Sequence, residues 1–303
     1  MSRGSGTGWA RLLTEGRNPR SRNLDALPTS RVVALLLDED RRGLVAAARA
    51  APAIARAARL FAAALARGGD VVFAGAGTSG RLGVLEAAEC PPTFGTDPRR
   101  IRAVMAGGRQ SVFASREGAE DRVEDGRHEG RRLRAADLLV GISASSVTPF
   151  VRAALEAARG RRARTVLLTC APGRGLARLA DVAIVLRTGP EVLTGSTRLK
   201  AGSATKAALN ALTTAAMVRL GKVHENLMVD LRPASAKLVD RSRRIVEAGG
   251  RVSAAESRRL LAAARGDVKA AIVMARLGVD AREAHARLAR ARGHVRKALL
   301  ARR

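Results

Sequence analysis

The 303 residues carry 55 Lys and Arg against 27 Asp and Glu, a formal charge of +28, while aromatics make up only 2% and Tyr is missing altogether. The basic residues, nearly all Arg, are dispersed through Ala-rich segments from Arg11 to Arg303 with no confined basic tail and no aromatics interleaved for base stacking, so a nucleic-acid partner is not expected despite the charge. Two cysteines, Cys90 and Cys170, four widely separated histidines (His128, His224, His285, His294) and no apolar run near about 18 residues speak against a disulfide framework, a metal site and a membrane span, and the expected setting is the cytoplasm.

In chain order, residues 1–28 are polar and turn-rich, with Asn18-Pro19 as a turn initiator. Thr29-Ser30 reads as an N-cap, followed by Ala/Leu/Arg helices that run, with a break near Pro52, to Gly68-Gly69. The periodicity then changes. Val71-Val72-Phe73, Ile101–Met105, Leu138–Ile142, Thr165–Leu168 and Val182–Leu186 are short apolar runs separated by helical text, which predicts a parallel sheet with helices on both faces. Leu199–Leu220 reads as one long helix. Beyond Asp230 only helices are expected, with capping boxes at Ser253-x-x-Glu256 and Asp280-x-x-Glu283 and stops at Gly266 and Gly278.

The first strand leads into Gly75-x-Gly77-x-x-Gly80, which has the spacing of a dinucleotide-binding loop. A dinucleotide needs an acidic residue at the end of the second strand for the ribose, and here Ile101–Met105 ends in Ala106-Gly107-Gly108. The loop instead offers the hydroxyls of Thr78 and Ser79 beside Gly77 and Gly80 at a helix N-terminus, a setting suited to a phosphate monoester and needing no cofactor. A second hydroxyl-rich turn, Ser143-Ala144-Ser145-Ser146, follows the third strand. Loops at the carboxyl ends of neighbouring parallel strands line one crevice, so Ser143, Ser145 and Ser146 are expected to converge with the first loop on one anion.

This loop pair resembles the sugar-isomerase (SIS) domain, and the surrounding text is similar to the N-acetylmuramic acid 6-phosphate etherases: Thr14-Glu15-x-Arg17-Asn18-Pro19, GAGTSGRLG from Gly75, ECPPTFG from Glu89, EGAED from Glu117, GSTRLKAG from Gly195, LGKV from Leu220 and NLMVD from Asn226. Two departures stand out, Ser146-Val147 where that family has Gly-Arg, and His224-Glu225 where Tyr-Gly is usual. The resemblance implies an α/β SIS-type three-layer fold with a central parallel sheet, divided into an N-terminal extension (1–55), a phosphosugar-binding domain (56–225) and a helical C-terminal region (226–303). It also implies a homodimer with its active site near the interface. The implied reaction is elimination of the lactyl ether from C3 of the open-chain sugar, then hydration, giving N-acetylglucosamine 6-phosphate and D-lactate. A sugar-phosphate isomerase and a non-catalytic regulator similar to the glucokinase regulatory protein are the alternatives; the carboxylate at Glu89 and ECPPTFG separate them from an etherase.

Elimination needs a base for the C2 proton and an acid for the ether oxygen. By resemblance the acid falls on Glu89 and the base on Glu120, with Ser196, Thr197 and Lys200 as further substrate contacts. Glu89 precedes Cys90-Pro91-Pro92, which is expected to stop the helix there, and the negative end of a helix favours a protonated donor. Glu120, among Arg116, Asp121 and Arg122, is expected to stay ionised. If the helix from Thr78 to Glu89 is unbroken, its eleven steps of about 1.5 Å separate loop from acid by about 16 Å. Either Gly83 then breaks the helix or a second subunit brings Glu89 to the substrate.

Overall fold

The computed structural model describes residues 13–171, 174–231 and 235–300. Short 3-10 turns at Leu13–Glu15, Pro19–Ser21 and Leu24–Ala26 precede α1 (Thr29–Arg49) and α2 (Ala51–Ala66). Alternation then sets in: β1 (Val71–Gly75), α3 (Gly77–Phe94), β2 (Ile101–Met105), α4 (Val123–Arg131), β3 (Leu138–Ile142), α5 (Pro149–Gly160), β4 (Arg164–Thr169), α6 (Arg174–Ala177) and β5 (Val182–Val185). After these come α7 (Lys200–Arg219), a hairpin of β6 (Val223–His224) and β7 (Leu227–Met228), and α8 (Ala236–Gly250), α9 (Ala254–Ala263), α10 (Val268–Leu277), α11 (Ala281–Arg290) and α12 (Val295–Leu300). The two-residue strands of the hairpin are too short to leave an alternating pattern, and the sequence reading passes over them. The chain forms two compact units, one from Met1–Ala87 and Arg99–Thr213, the other from Ala88–Pro98 and Thr214–Arg303.

In the first unit five strands pair in parallel in the order β2-β1-β3-β4-β5. Alternate side chains along each strand supply the two faces of the sheet. Val72, Ala74, Leu139 and Leu167 pack with Phe150, Val151, Ala154 and Leu155 of α5. On the other face Phe73 meets Phe61 of α2 with ring centroids 6.2 Å apart. The three-layer α/β prediction is met, and the strands agree with their sequence readings to within a residue or two.

Helix α3 approaches the sheet closely because it carries glycines where it crosses β1. A Cβ on Gly80 would lie 2.8 Å from the Gly75 carbonyl oxygen and 2.8 Å from Met105 Cγ, and one on Gly83 would lie 3.0 Å from Phe73 Cβ. Gly83 therefore seats the helix; it does not break it. The expected stop at Cys90-Pro91-Pro92 is also wrong, since α3 continues through both prolines to Phe94. Pro91 and Pro92 withhold the N–H groups that the Ala87 and Ala88 carbonyls would accept. Cys90 and Phe94, one turn apart and 2% and 7% exposed, keep the last turn helical by burying its apolar side. The chain leaves the helix at Gly95, with φ +61° and its N–H on the Pro91 carbonyl at 2.9 Å. Glu89 consequently sits more than a turn before the helix end, and not at it. The start of α1 differs too: Pro28 holds the cap position and neither Thr29 nor Ser30 caps it.

The second unit packs α8 to α12 around Val246, Ala270, Ala271, Ile272, Val273 and Ala284. Its helix starts are those read from the sequence, with Ser253 accepting from the Glu256 N–H and Asp280 from the Glu283 N–H, while Gly278 ends α10 in the left-handed conformation. Asp230 of the NLMVD segment accepts ion pairs from Lys222 at 2.7 Å and Lys269 at 2.8 Å, which makes it an anchor of this unit. No helix among the described residues is long and apolar enough to cross a membrane.

Candidate active site at the carboxyl ends of β1 and β3

A sheet ordered β2-β1-β3-β4-β5 grows outward in opposite directions from β1 and β3, and the loops leaving the carboxyl ends of those two strands part to open a crevice. Here the loops are the glycine turn before α3 and the serine turn before α5. A cleft of about 390 Å³ opens between them. Gly77, Thr78 and Ser79 line it from the first loop and Ser145, Val147 and Thr148 from the second; Glu120 and Asp121 join from the turn before α4, Thr14 and Glu15 from the N-terminal segment, and Gly195 and Thr197 from the loop before α7. Two helix N-termini thus face one space together with hydroxyl side chains, which suits a phosphate group.

The predicted residues divide into those that reach this space and those that shape it. Gly80 is packed against Gly75 and does not line the cleft. Ser143 is 1% exposed and pairs its hydroxyl with Thr148 Oγ1 at 2.8 Å, which braces the second turn from within. Ser146 is buried in a left-handed conformation, φ +64°, and its hydroxyl has no partner among the described residues. Ser196 is half-buried in the loop before α7, with its N–H on the Leu193 carbonyl at 3.0 Å, and its neighbours Gly195 and Thr197 line the cleft while it does not. Lys200 is turned away: it is 3% exposed, with Nζ 2.5 Å from Glu39 and 2.8 Å from the Pro190 carbonyl. Glu89 is exposed on α3 and is not among the cleft's lining residues.

Glu120 is presented by a 3-10 turn, Ala119–Asp121, entered through Gly118 at φ +70°. Ala119, 5% exposed, is packed with Phe150 and Ala154 and leaves the two acidic side chains that follow it exposed. The N-terminal segment is held with equal firmness. Gly195 N–H donates to the Thr14 carbonyl at 3.2 Å, Asn18 Nδ2 to Glu39 at 2.9 Å and to the Pro190 carbonyl at 3.2 Å, and Ser21 Oγ to the Val192 carbonyl at 2.7 Å. Burial pushes the Glu39 carboxyl up, but hydrogen bonds from Lys200, Arg20 and Asn18 outweigh it and hold the group below its ordinary value. Glu191 caps α7 by accepting from the Lys200 N–H at 3.2 Å and the Ala201 N–H at 2.8 Å.

The charge of the cleft runs against that of the chain. Among the described residues no Lys or Arg lines it, and three carboxylates do: Glu15, Glu120 and Asp121. An anion placed there would meet helix N-termini and hydroxyls, and no cationic side chain among the described residues. Cys170 is no nucleophile, because burial pushes its thiol up to about 11 and it lies against Thr205 and the Ala201 carbonyl. Among the described residues no group of three or more His, Cys, Asp or Glu is arranged to hold a metal. Sequence reasoning missed Glu15 and Thr148 as lining residues. Glu15 lay inside the Thr14–Pro19 segment of the resemblance without a role.

Comparison with known proteins agrees with this architecture. The family model for the glucokinase regulatory protein N-terminal SIS domain matches residues 53–159, and the SIS domain model matches residues 123–215. N-acetylmuramic acid 6-phosphate etherase from Synechococcus sp. (strain CC9605) is 49% identical over 270 residues, 88% of this chain and 85% of the relative. The same enzyme from Synechococcus sp. (strain CC9902) is 50% identical over 87% of this chain and 84% of the relative, and that from Gloeobacter violaceus is 49% identical over 88% and 87%. With identity of this level along nearly its whole length, the chain belongs to the N-acetylmuramic acid 6-phosphate etherase family.

Proposed function

We propose that this protein cleaves the D-lactyl ether of N-acetylmuramic acid 6-phosphate, releasing D-lactate and N-acetylglucosamine 6-phosphate in the cytoplasmic recycling of cell-wall sugars. The observation that carries the reading is a cleft that joins a phosphate cradle to an ionisable carboxylate, in a chain about half identical to etherases. The phosphate rests on the N-termini of α3 and α5, bonded by Thr78, Ser79 and Ser145. The sugar ring opens to its aldehyde, which acidifies the C2 proton. Glu120 takes that proton, and the C3–O bond breaks as the electron pair at C2 forms the C2–C3 double bond. A proton from Glu89 goes to the departing ether oxygen so that lactate leaves neutral at that atom. Water then adds its oxygen at C3 while its proton goes to Glu89, and Glu120 returns its proton to C2, which restores both carboxyl groups and balances the atoms.

Glu89 acts in this reading from a second copy of the chain. Support comes from α3, which is continuous from Gly77 to Phe94, so that Thr78 and Glu89 lie about 16 Å apart along its axis at about 1.5 Å per residue. That is longer than one hexose, and a homodimer that pairs the cleft of one chain with Glu89 of another resolves it. Incubation with N-acetylmuramic acid 6-phosphate and enzymatic assay of D-lactate tests the activity; absence of lactate from folded protein refutes it. Mixing Glu89→Gln chains with Ser79→Ala chains, assayed at substrate far below the KM of Ser79→Ala so that neither parent turns over alone, tests the shared site. One of the two sites in a mixed dimer then collects both defects and the other is intact, so activity should recover, and no recovery in verified mixed dimers refutes sharing.

A further inference from the structure

We propose that Glu15 contacts the substrate, accepting hydrogen bonds from hydroxyls of the sugar whose phosphate rests on the two helix N-termini; the proposal builds on the phosphosugar reading above. Three observations lead to it. Glu15 lines the same cleft as Thr78, Ser79 and Glu120. It is carried there by a segment with little freedom, tied at Thr14 to Gly195, at Asn18 to Glu39 and Pro190, and at Ser21 to Val192, so its place in the cleft wall is built. Finally, among the described residues no Lys or Arg pairs with it, although basic residues outnumber acidic ones 55 to 27; the hydrogen bond it accepts there is from Thr14 Oγ1, at 3.2 Å.

An exposed carboxylate with no Lys or Arg partner among the described residues keeps most of its acceptor capacity open toward the cleft. Its charge selects which part of a phosphosugar it can meet. A phosphate or a second carboxylate beside it would be repelled, whereas neutral hydroxyl groups donate to a carboxylate in charge-assisted bonds. The phosphate is provided for at the helix N-termini, where partial positive charge gathers. Glu15 supplies the complementary acceptor for the neutral part of the ring, and the Asn18–Glu39–Lys200 network serves as the brace that holds it in the wall.

The test compares two probes on one protein, inorganic phosphate and N-acetylglucosamine 6-phosphate, with binding followed by calorimetry on wild type, Glu15→Ala and Glu15→Gln. Losing a hydrogen bond to a charged group predicts that Glu15→Ala binds the sugar phosphate about 10- to 100-fold more weakly, with Glu15→Gln between it and wild type. Affinity for inorganic phosphate should change less than about twofold, because that ion uses only the helix N-termini. Glu15 is exposed, so the variants should keep the wild-type melting temperature. Unchanged sugar-phosphate affinity in Glu15→Ala overturns the proposal, and so does an equal loss for both probes, which would make Glu15 a structural part of the cleft. A wild-type protein that binds the sugar phosphate no better than phosphate itself would instead strike at the phosphosugar reading and take this one with it.

Discussion

Lys200 is where family resemblance and structure suggest different roles, and replacing it with Met separates them. The ammonium is 3% exposed and its partner Glu39 is 2% exposed, so the pair is screened from water on both sides. Removing one partner of a buried pair strands the other charge, a loss of about 3–5 kcal/mol. Glu39 keeps Arg20 at 2.7 Å and Asn18 at 2.9 Å, which places the expected cost near the low end, about 3 kcal/mol. For a unit of this size that is a fall in melting temperature of about 6–12 °C. The double variant Lys200→Met with Glu39→Gln removes the stranded charge and should melt above the single variant. Acid sensitivity supplies a second reading. The depressed Glu39 carboxyl contributes stability that is present above its ordinary value of 4.5 and lost as pH falls through the lower folded value. Without Lys200 the folded value rises, and the loss on acidification begins at higher pH. Chemical and thermal melts across pH 3.5–7 measure both effects. A Lys200→Met protein that melts like wild type but binds N-acetylglucosamine 6-phosphate at least tenfold more weakly would refute the reasoning and make Lys200 a substrate ligand.

For the carboxylates, Glu89→Gln should abolish lactate release yet still exchange the C2 proton with solvent deuterium, whereas Glu120→Gln should abolish both; wild-type lactate release by Glu89→Gln would end its assignment as the acid. Ser79→Ala should raise KM more than it lowers kcat, because a phosphate contact is made about equally in the ground and transition states, and a collapsed kcat at constant KM would contradict this. Ser146 holds a left-handed backbone with a buried, unpartnered hydroxyl among the described residues, so Ser146→Gly should stabilise the protein by about 1 kcal/mol or more in urea melts. His224 is 5% exposed, and burial, assisted by Arg296 and Arg276 and opposed by Glu225, pushes its ring below the ordinary 6.5. The unfolded chain takes up a proton that the folded ring resists, so stability should fall as pH drops below 6.5; His224→Phe should flatten that slope, and an unchanged slope would count against the argument.

Local chemistry alone determined much of this protein. The apolar runs at Val71, Ile101, Leu138, Thr165 and Val182 became the five parallel strands, and the short-range signals Ser253-x-x-Glu256, Asp280-x-x-Glu283 and Gly278 became helix ends, because such signals act within a turn or two of chain. That Thr78, Ser79 and Ser145 line one cleft was legible for the same reason, since they follow strands whose carboxyl ends share one crevice. Tertiary structure decided what depends on partners far away in sequence. Pro91 and Pro92 read locally as a stop, and burial of Cys90 and Phe94 overrode them, which moved the helix end away from Glu89. Lys200 sits in a motif that reads as substrate-binding, and Glu39, 161 residues earlier, claims its charge. Glu15 lay in a matched motif that gave it no role, because what places it in the cleft is a set of hydrogen bonds to a loop more than 170 residues away.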